Sequence, residues 1–144
     1  MRLTRGADYG TRGMIRLAAM PPDSVVLIKH IAAIEGLPES YLSKIFQELA
    51  KDGLVRSHRG AKGGFSLARP PEEITLRQVI EAIEGPIALS RCLSSSEGCD
   101  RADACPLRPA LSEAQLQLLA VLDRTTLKDL SVQAVGDSSA GAAC

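Results

Sequence analysis

The sequence predicts a mainly α fold carrying a small β-hairpin: a winged helix-turn-helix followed by a long helix suited to dimerisation. Three observations lead there. Two short amphipathic helical patterns flank a turn at Gly36, the apolar period switches from 3.6 to 2 after Gly53 around a Gly-rich connector, and a long Leu-rich helical stretch follows Pro106. Composition agrees: 45% of the 144 residues are hydrophobic, yet there are only two Phe, two Tyr and no Trp, so Leu, Ile, Val and Ala must fill the core. That palette suits packed helices better than a sandwich.

Taken in order, a first helix is expected over residues 6–20, with Tyr9, Ile15, Leu17 and Ala18 facing inward and Pro21-Pro22 stopping it. Ile28, Ile31 and Ala32 mark a short second helix that Gly36 can end in a left-handed conformation. Pro38 suits the first position of a third helix, whose inward face is Leu42, Ile45, Phe46 and Leu49 and which Gly53 closes. Ala32 and Gly36, four residues apart, allow the two helices to cross closely. Residues 54–59 and 65–69 read as strands, and the connector Gly60-Ala61-Lys62-Gly63-Gly64 supplies the permissive backbone of a hairpin. Pro70-Pro71 ends this wing. Thr75 caps a helix bearing Leu76, Val79, Ile80 and Ile83, and Gly85-Pro86 breaks it. A polar loop spans roughly residues 90–104. The long helix then presents Leu111, Ala114, Leu118, Val121 and Leu122, widened by Leu116 and Leu119 beyond what one small domain can cover, so pairing with a second copy is expected. A short helix over residues 123–130 follows. The implied organisation is 1–85 for the winged helix-turn-helix, 86–106 for a cysteine loop, 107–131 for dimerisation and terminal helices, and a disordered tail from 132 to 144.

Net charge is zero, but it is unevenly distributed. Residues 1–70 carry 11 Lys and Arg against 6 Asp and Glu, whereas residues 71–144 carry 6 against 11. A basic half fits a nucleic-acid partner. In a helix-turn-helix the second helix enters the major groove with its N-terminal residues toward the bases. Here Ser40, Tyr41, Ser43, Lys44 and Gln47 lie away from the apolar face; Lys44 and Gln47 reach phosphate or base, Ser40 and Tyr41 backbone oxygens. Arg56, Arg59 and Lys62 are expected near the wing tip, slim enough for a minor groove. Double-stranded DNA is therefore the expected partner.

Three of the four cysteines form Cys92-x6-Cys99-x5-Cys105. An odd trio is a poor disulfide framework, and the two-residue spacing of zinc ribbons is missing. The spacing leaves three chemistries open: an iron–sulfur cluster, zinc, or redox-active thiols. Cys144, in the tail, reads as incidental.

The opening Met1-Arg2-Leu3-Thr4, the run Ser40-Tyr41-Leu42, the wing Arg59-Gly60-x2-Gly63-Gly64, the stretch 74–85 and the cysteine trio together resemble the iron–sulfur winged-helix family of IscR, NsrR and RirA. The resemblance reaches to about Leu130. It implies a homodimer with a long dimerisation helix and a cluster held by Cys92, Cys99 and Cys105 that controls DNA binding. IscR-like members carry a His three residues after the third cysteine, where this chain has Arg108, a departure from the two-iron pattern. The NsrR-like pattern is matched by Leu107-Arg108 and by Asp8, which would complete a four-iron (4Fe-4S) rather than a two-iron (2Fe-2S) cluster from the first helix of the other subunit. Arg12, one turn on, would hold Asp8 in place.

The function expected is that of a DNA-binding transcriptional regulator, a repressor, sensing nitric oxide, oxygen or iron–sulfur status. The alternatives are a sensor using zinc or bare thiols, or an IscR-like regulator of cluster biogenesis with a two-iron centre. Catalysis is not expected: His30 and His58 have no nucleophile at telling spacing, and no small-molecule substrate suggests itself. No run reaches the roughly 20 apolar residues of a membrane span, and the opening lacks the apolar stretch of a signal peptide. No membrane partner and a cytoplasmic location are expected.

Overall fold

The computed structural model describes residues 2–94, 98–101 and 103–136. The order of elements is α1 (Arg5–Ala18), α2 (Ile28–Glu35), α3 (Glu39–Lys51), β1 (Val55–His58), β2 (Gly64–Leu67), α4 (Leu76–Glu84), α5 (Arg108–Arg124) and α6 (Leu127–Gly136), with short 3₁₀ turns at Pro71–Glu73 and Arg91–Leu93.

Helix α1 is the axle of the fold, packing against α2, α3, α4, α6 and β2. Its N-terminus is fixed twice: the Thr4 hydroxyl accepts from the Ala7 amide at 3.1 Å, and the Thr4 amide donates to Glu84 Oε1 at 2.6 Å. Its buried face is Gly6, Ala7, Gly10, Gly13, Met14 and Leu17. Of the inward set expected from sequence, Leu17 is buried while Tyr9, Ile15 and Ala18 are half-buried at the core's edge. The difference is made by glycine. A Cβ at Gly13 would sit 2.7 Å from the Phe46 ring, and one at Gly10 would press into Ile83 and lie 2.7 Å from Ile45 Cγ2. Bare backbone lets α3 and α4 approach the axle.

Helix α2 ends as expected at Gly36, whose φ of 65° is left-handed. Pro38 stands at the cap of α3, one position before the first helical residue. Arg16 clamps α1 to α2, its Nε and Nη2 lying 2.8 and 2.7 Å from Glu35 Oε1. Leu42, Ile45, Phe46 and Leu49 of α3 are all buried, with Phe46 edge-on to Phe65 of the hairpin at 5.3 Å.

The wing is an antiparallel pair in which Val55 faces Leu67 and His58 faces Gly64. An additional bridge joins Val26 to Phe65, with reciprocal amide–carbonyl bonds of 2.9 Å. It ties the segment before α2 to the hairpin and explains Gly64, where a Cβ would run into the Val26 carbonyl.

Helix α4 opens on a capping box between Thr75 and Gln78. A second, smaller core of Ile80, Ile87 and Leu122, joined by Leu76, Leu118 and Leu119, fixes α5 against α4. Arg77 reinforces the contact, 3.0 Å from Asp123 and 3.3 Å from Glu81. The hydrogen bond to Asp123, then the contact with the Glu81 carboxylate, raises the guanidinium pKa above its ordinary value.

The long α5 meets the expectation of a Leu-rich helix, but its faces divide differently. Leu122 is buried within the chain and Leu118 is half-buried against α4, so this part of the stripe is already largely covered within one chain. The apolar residues left outward are Leu107, Ala114 and Val121 at heptad spacing, and Leu116 on a different side of the helix. The last helix also departs from expectation, starting later and continuing to Gly136. Thr125 and Thr126 interrupt it because their backbone pairs with the segment before α4: Leu76 N donates to Thr125 O at 2.8 Å and Leu127 N to Ile74 O at 2.9 Å. Thr126 then caps α6 reciprocally with Asp129. The Thr126 backbone amide, and then its hydroxyl, stabilise the ionised Asp129 carboxylate and lower its pKa. Residues 132–136, expected to begin the tail, are helical; the remainder of that tail, with Cys144, lies outside the described residues. Among the described residues no helix is long and apolar enough to cross a membrane.

Candidate nucleic-acid interface and cysteine loop

The apolar face of α3 fixes the opposite face toward solvent. Ser40, Lys44 and Gln47 are exposed there and Ser43 is half-buried. Tyr41 does two things. It is 41% exposed, yet its ring meets Tyr9 of α1 edge-on at 5.7 Å and its hydroxyl lies over Gly6. The start of α3 is thereby braced by the first turns of α1.

Arg59 and Lys62 are exposed at the hairpin tip, flanking a turn closed by Gly63 N to Gly60 O at 2.9 Å. The turn requires glycine at both ends for different reasons: Gly60 has φ 101°, and a Cβ on Gly63 would fall 2.6 Å from the His58 carbonyl. Arg56 is not part of this tip. It lies at the base of the wing, where α1 and α6 approach the sheet. His58 Nε2 bonds the buried Ser66 hydroxyl at 2.8 Å across the strands, a contact with no signature in the sequence because the residues are joined only by register. Ser40, Lys44, Gln47, Arg59 and Lys62 thus present donors to solvent on two elements held together by the Phe46–Phe65 contact.

The trio of cysteines lies in the segment between α4 and α5. Cys92 is in the 3₁₀ turn against α5, half-buried, with Sγ 3.5 Å from the Ser90 hydroxyl. Cys105 is half-buried just before α5, its carbonyl accepting from the Arg108 amide, and Cys99 is exposed. All three are free thiols. Arg108 reaches toward Asp103 at 3.8 Å. Asp8 is half-buried on the first turn of α1, with its carboxylate 3.2 Å from Arg12. Among the described residues no three His, Cys, Asp or Glu converge closely enough to hold a metal ion within one chain. The donor set suits a thiophilic centre nonetheless, being three free thiols on one short loop with no competing disulfide.

A family model for Rrf2, described as an iron-dependent transcriptional regulator, matches residues 3–133. The chain belongs to the Rrf2 family. An HTH-type transcriptional regulator, Rv1287 of Mycobacterium tuberculosis, is 35% identical over 131 residues, covering 91% of this chain and 81% of the relative. Two solved structures share the fold closely. CymR, the global cysteine regulator of B. subtilis, superposes with a TM-score of 0.73 at 32% identity, over 92% of this chain and 98% of that one. IscR of T. potens gives 0.74 at 30% identity, over 99% and 94%. The Rrf2 chain described here is accordingly a winged-helix transcriptional regulator and belongs to a family of regulators, not of enzymes.

Proposed function

We propose that this Rrf2 protein is a cytoplasmic repressor that binds its operator as a homodimer through α3 and the wing, and that a four-iron cluster on Cys92, Cys99 and Cys105, completed by Asp8 of the other subunit, sets its DNA affinity. The observation that carries this reading is the placement of Asp8. It is a half-exposed carboxylate, oriented by Arg12, on the same helix that braces the recognition helix through Tyr9 and Tyr41. Whatever engages Asp8 pulls on the element that aims α3. When bound, the cluster supplies a centre that nitric oxide, oxygen or iron shortage can dismantle. The protein's own part is to hold three thiolates on the loop beside α5 and to lend one carboxylate from α1, so that the angle between the two DNA-binding units follows occupancy. Arg12, one turn on, keeps Asp8 aimed.

A second reading rests on the thiols alone. Cys99 is exposed and Cys92 and Cys105 half-exposed, so reversible oxidation could act directly on the loop, as the likeness to a cysteine regulator suggests.

Anaerobically purified protein separates the two. The expected result is a brown chromophore with stoichiometric iron and sulfide, lost in Cys92→Ala, Cys99→Ala and Cys105→Ala and kept in Cys144→Ala. Asp8→Ala should retain a shorter-lived chromophore and show a blunted change in operator affinity on cluster loss. Colourless protein whose DNA affinity follows peroxide and thiol reductant establishes the second reading; zinc in the metal analysis, or a stable two-iron spectrum in Asp8→Ala, overturns the ligand set.

A further inference from the structure

Far from the cysteine loop, a groove of about 840 Å³ opens between the end of α1, the base of the wing and α6. That is within the size of sites that take small organic ligands, about 300–1,000 Å³, and such sites combine apolar walls with a few placed polar groups. Leu17, Met20, Leu67, Val132 and Val135 form apolar walls here. Val132 and Val135 remain 61% and 63% exposed, although α6 buries its other side against α1. Three cations from three separate segments border the groove: Arg56 from β1, Arg69 from just after β2, and Lys128 from the first turn of α6. Elsewhere Arg12, Arg16, Lys51 and Arg77 each sit against a carboxylate. Among the described residues Arg56, Arg69 and Lys128 have no such partner. The acids at the groove are Asp23 and Glu72, so the cations are in excess.

We propose that this groove binds an amphipathic organic anion, of the class of medium-chain carboxylic acids. The apolar body would lie on Leu17, Met20, Val132 and Val135. The carboxylate would accept hydrogen bonds from the guanidinium forks and the ammonium, which are strongest when both partners are charged. Charge complementarity selects this occupant over a second copy of the chain, which would bring the same cations to the same place. Arg56 and Leu67 belong to the two strands of the wing, so an occupant tethers the wing to α6. Its effect on operator affinity rests on the reading of the wing given above; its binding does not.

Calorimetric titration of the full chain with decanoate, decan-1-ol and decyltrimethylammonium, without DNA, tests the site. Saturable decanoate binding is expected at one molecule per chain, with the cation failing to bind and the alcohol at least about tenfold weaker, the size of one charged hydrogen bond. Arg69→Ala and Lys128→Ala should each weaken decanoate by about tenfold on the same grounds, and the exposed Val132→Glu should abolish it. Absent or non-saturable binding overturns the proposal, as do equal affinities for decanoate and the alcohol, or decanoate binding unchanged in Lys128→Ala and Val132→Glu. Dissociation of a dimer by Val132→Glu in light scattering also overturns it, since the groove would then be an interface between copies. A failure of DNA binding leaves these titrations untouched and bears only on the wing.

Discussion

Gly13 shows how one missing side chain positions an interface. Glycine inside a helix costs about 1 kcal/mol relative to alanine, and α1 carries three, at positions 6, 10 and 13. They persist because the Phe46 ring occupies the space where a Cβ at Gly13 would stand, and Phe46 is fully buried. Gly13→Ala should gain the helix preference but lose more by overpacking a rigid ring. A net destabilisation of about 1–2 kcal/mol is expected, read as a lower urea midpoint at unchanged slope. A midpoint equal to wild type or higher would show that α1 and α3 do not need this approach. The inward face of α1 was only partly legible from its apolar residues for the same reason. Glycine scores as polar or neutral in a periodicity, yet the 6, 10, 13 spacing places all three on one side, and that was the signal to read. The α3 face was legible in full because Leu42, Ile45, Phe46 and Leu49 carry their burial in their side chains.

Among the elements, the wing has the plainest consequence for binding. Its turn, with a left-handed Gly60 and a sterically closed Gly63, leaves Arg59 and Lys62 exposed at the tip. If each touches a phosphate or a narrow groove, Arg59→Ala and Lys62→Ala should each weaken operator binding and reduce the slope of log K against log salt by about one unit. Fluorescence anisotropy at several salt concentrations measures both. Unchanged affinity and slope in both variants would remove the wing from the interface. The order helix, turn, helix, hairpin was legible because each boundary is marked by Gly or Pro. The Val26 bridge was not, since a single paired residue has no alternation to detect. Nor was the interruption between α5 and α6, where an unremarkable Thr-Thr pair breaks the helix only because the strand-like segment before α4 lies beside it. The cysteine spacing shows which groups sit on the loop; how they converge depends on Asp8 and, in the proposed site, on a second chain.

For the whole molecule, the packing of α5 bears on where a second copy would dock in the proposed homodimer. Leu118, Leu119 and Leu122 pack toward α4, while Leu107, Leu116 and Val121 are left exposed. Val121, 43% exposed in the single chain, should be buried on dimerisation, so Val121→Glu is expected to give a folded monomer because it would desolvate an unpaired carboxylate. A dimeric Val121→Glu by light scattering would put the interface elsewhere. Leu118→Glu, by contrast, should lower stability before it alters association, since Leu118 helps hold α5 against α4. The basic stretch from α1 through β2 and the acidic stretch from α4 onward have a further consequence. With no net charge and an isoelectric point near 6.7, the protein feels little overall pull toward a polyanion at a distance. What it carries instead is a locally basic wing: residues 53–71 hold Arg56, Arg59, Lys62 and Arg69 and no Asp or Glu. Within a Debye length of roughly 10 Å of a duplex, that local field draws the wing toward the phosphates although the chain as a whole is neutral. An encounter made through the wing is thereby favoured at short range, where the charge of the whole no longer decides.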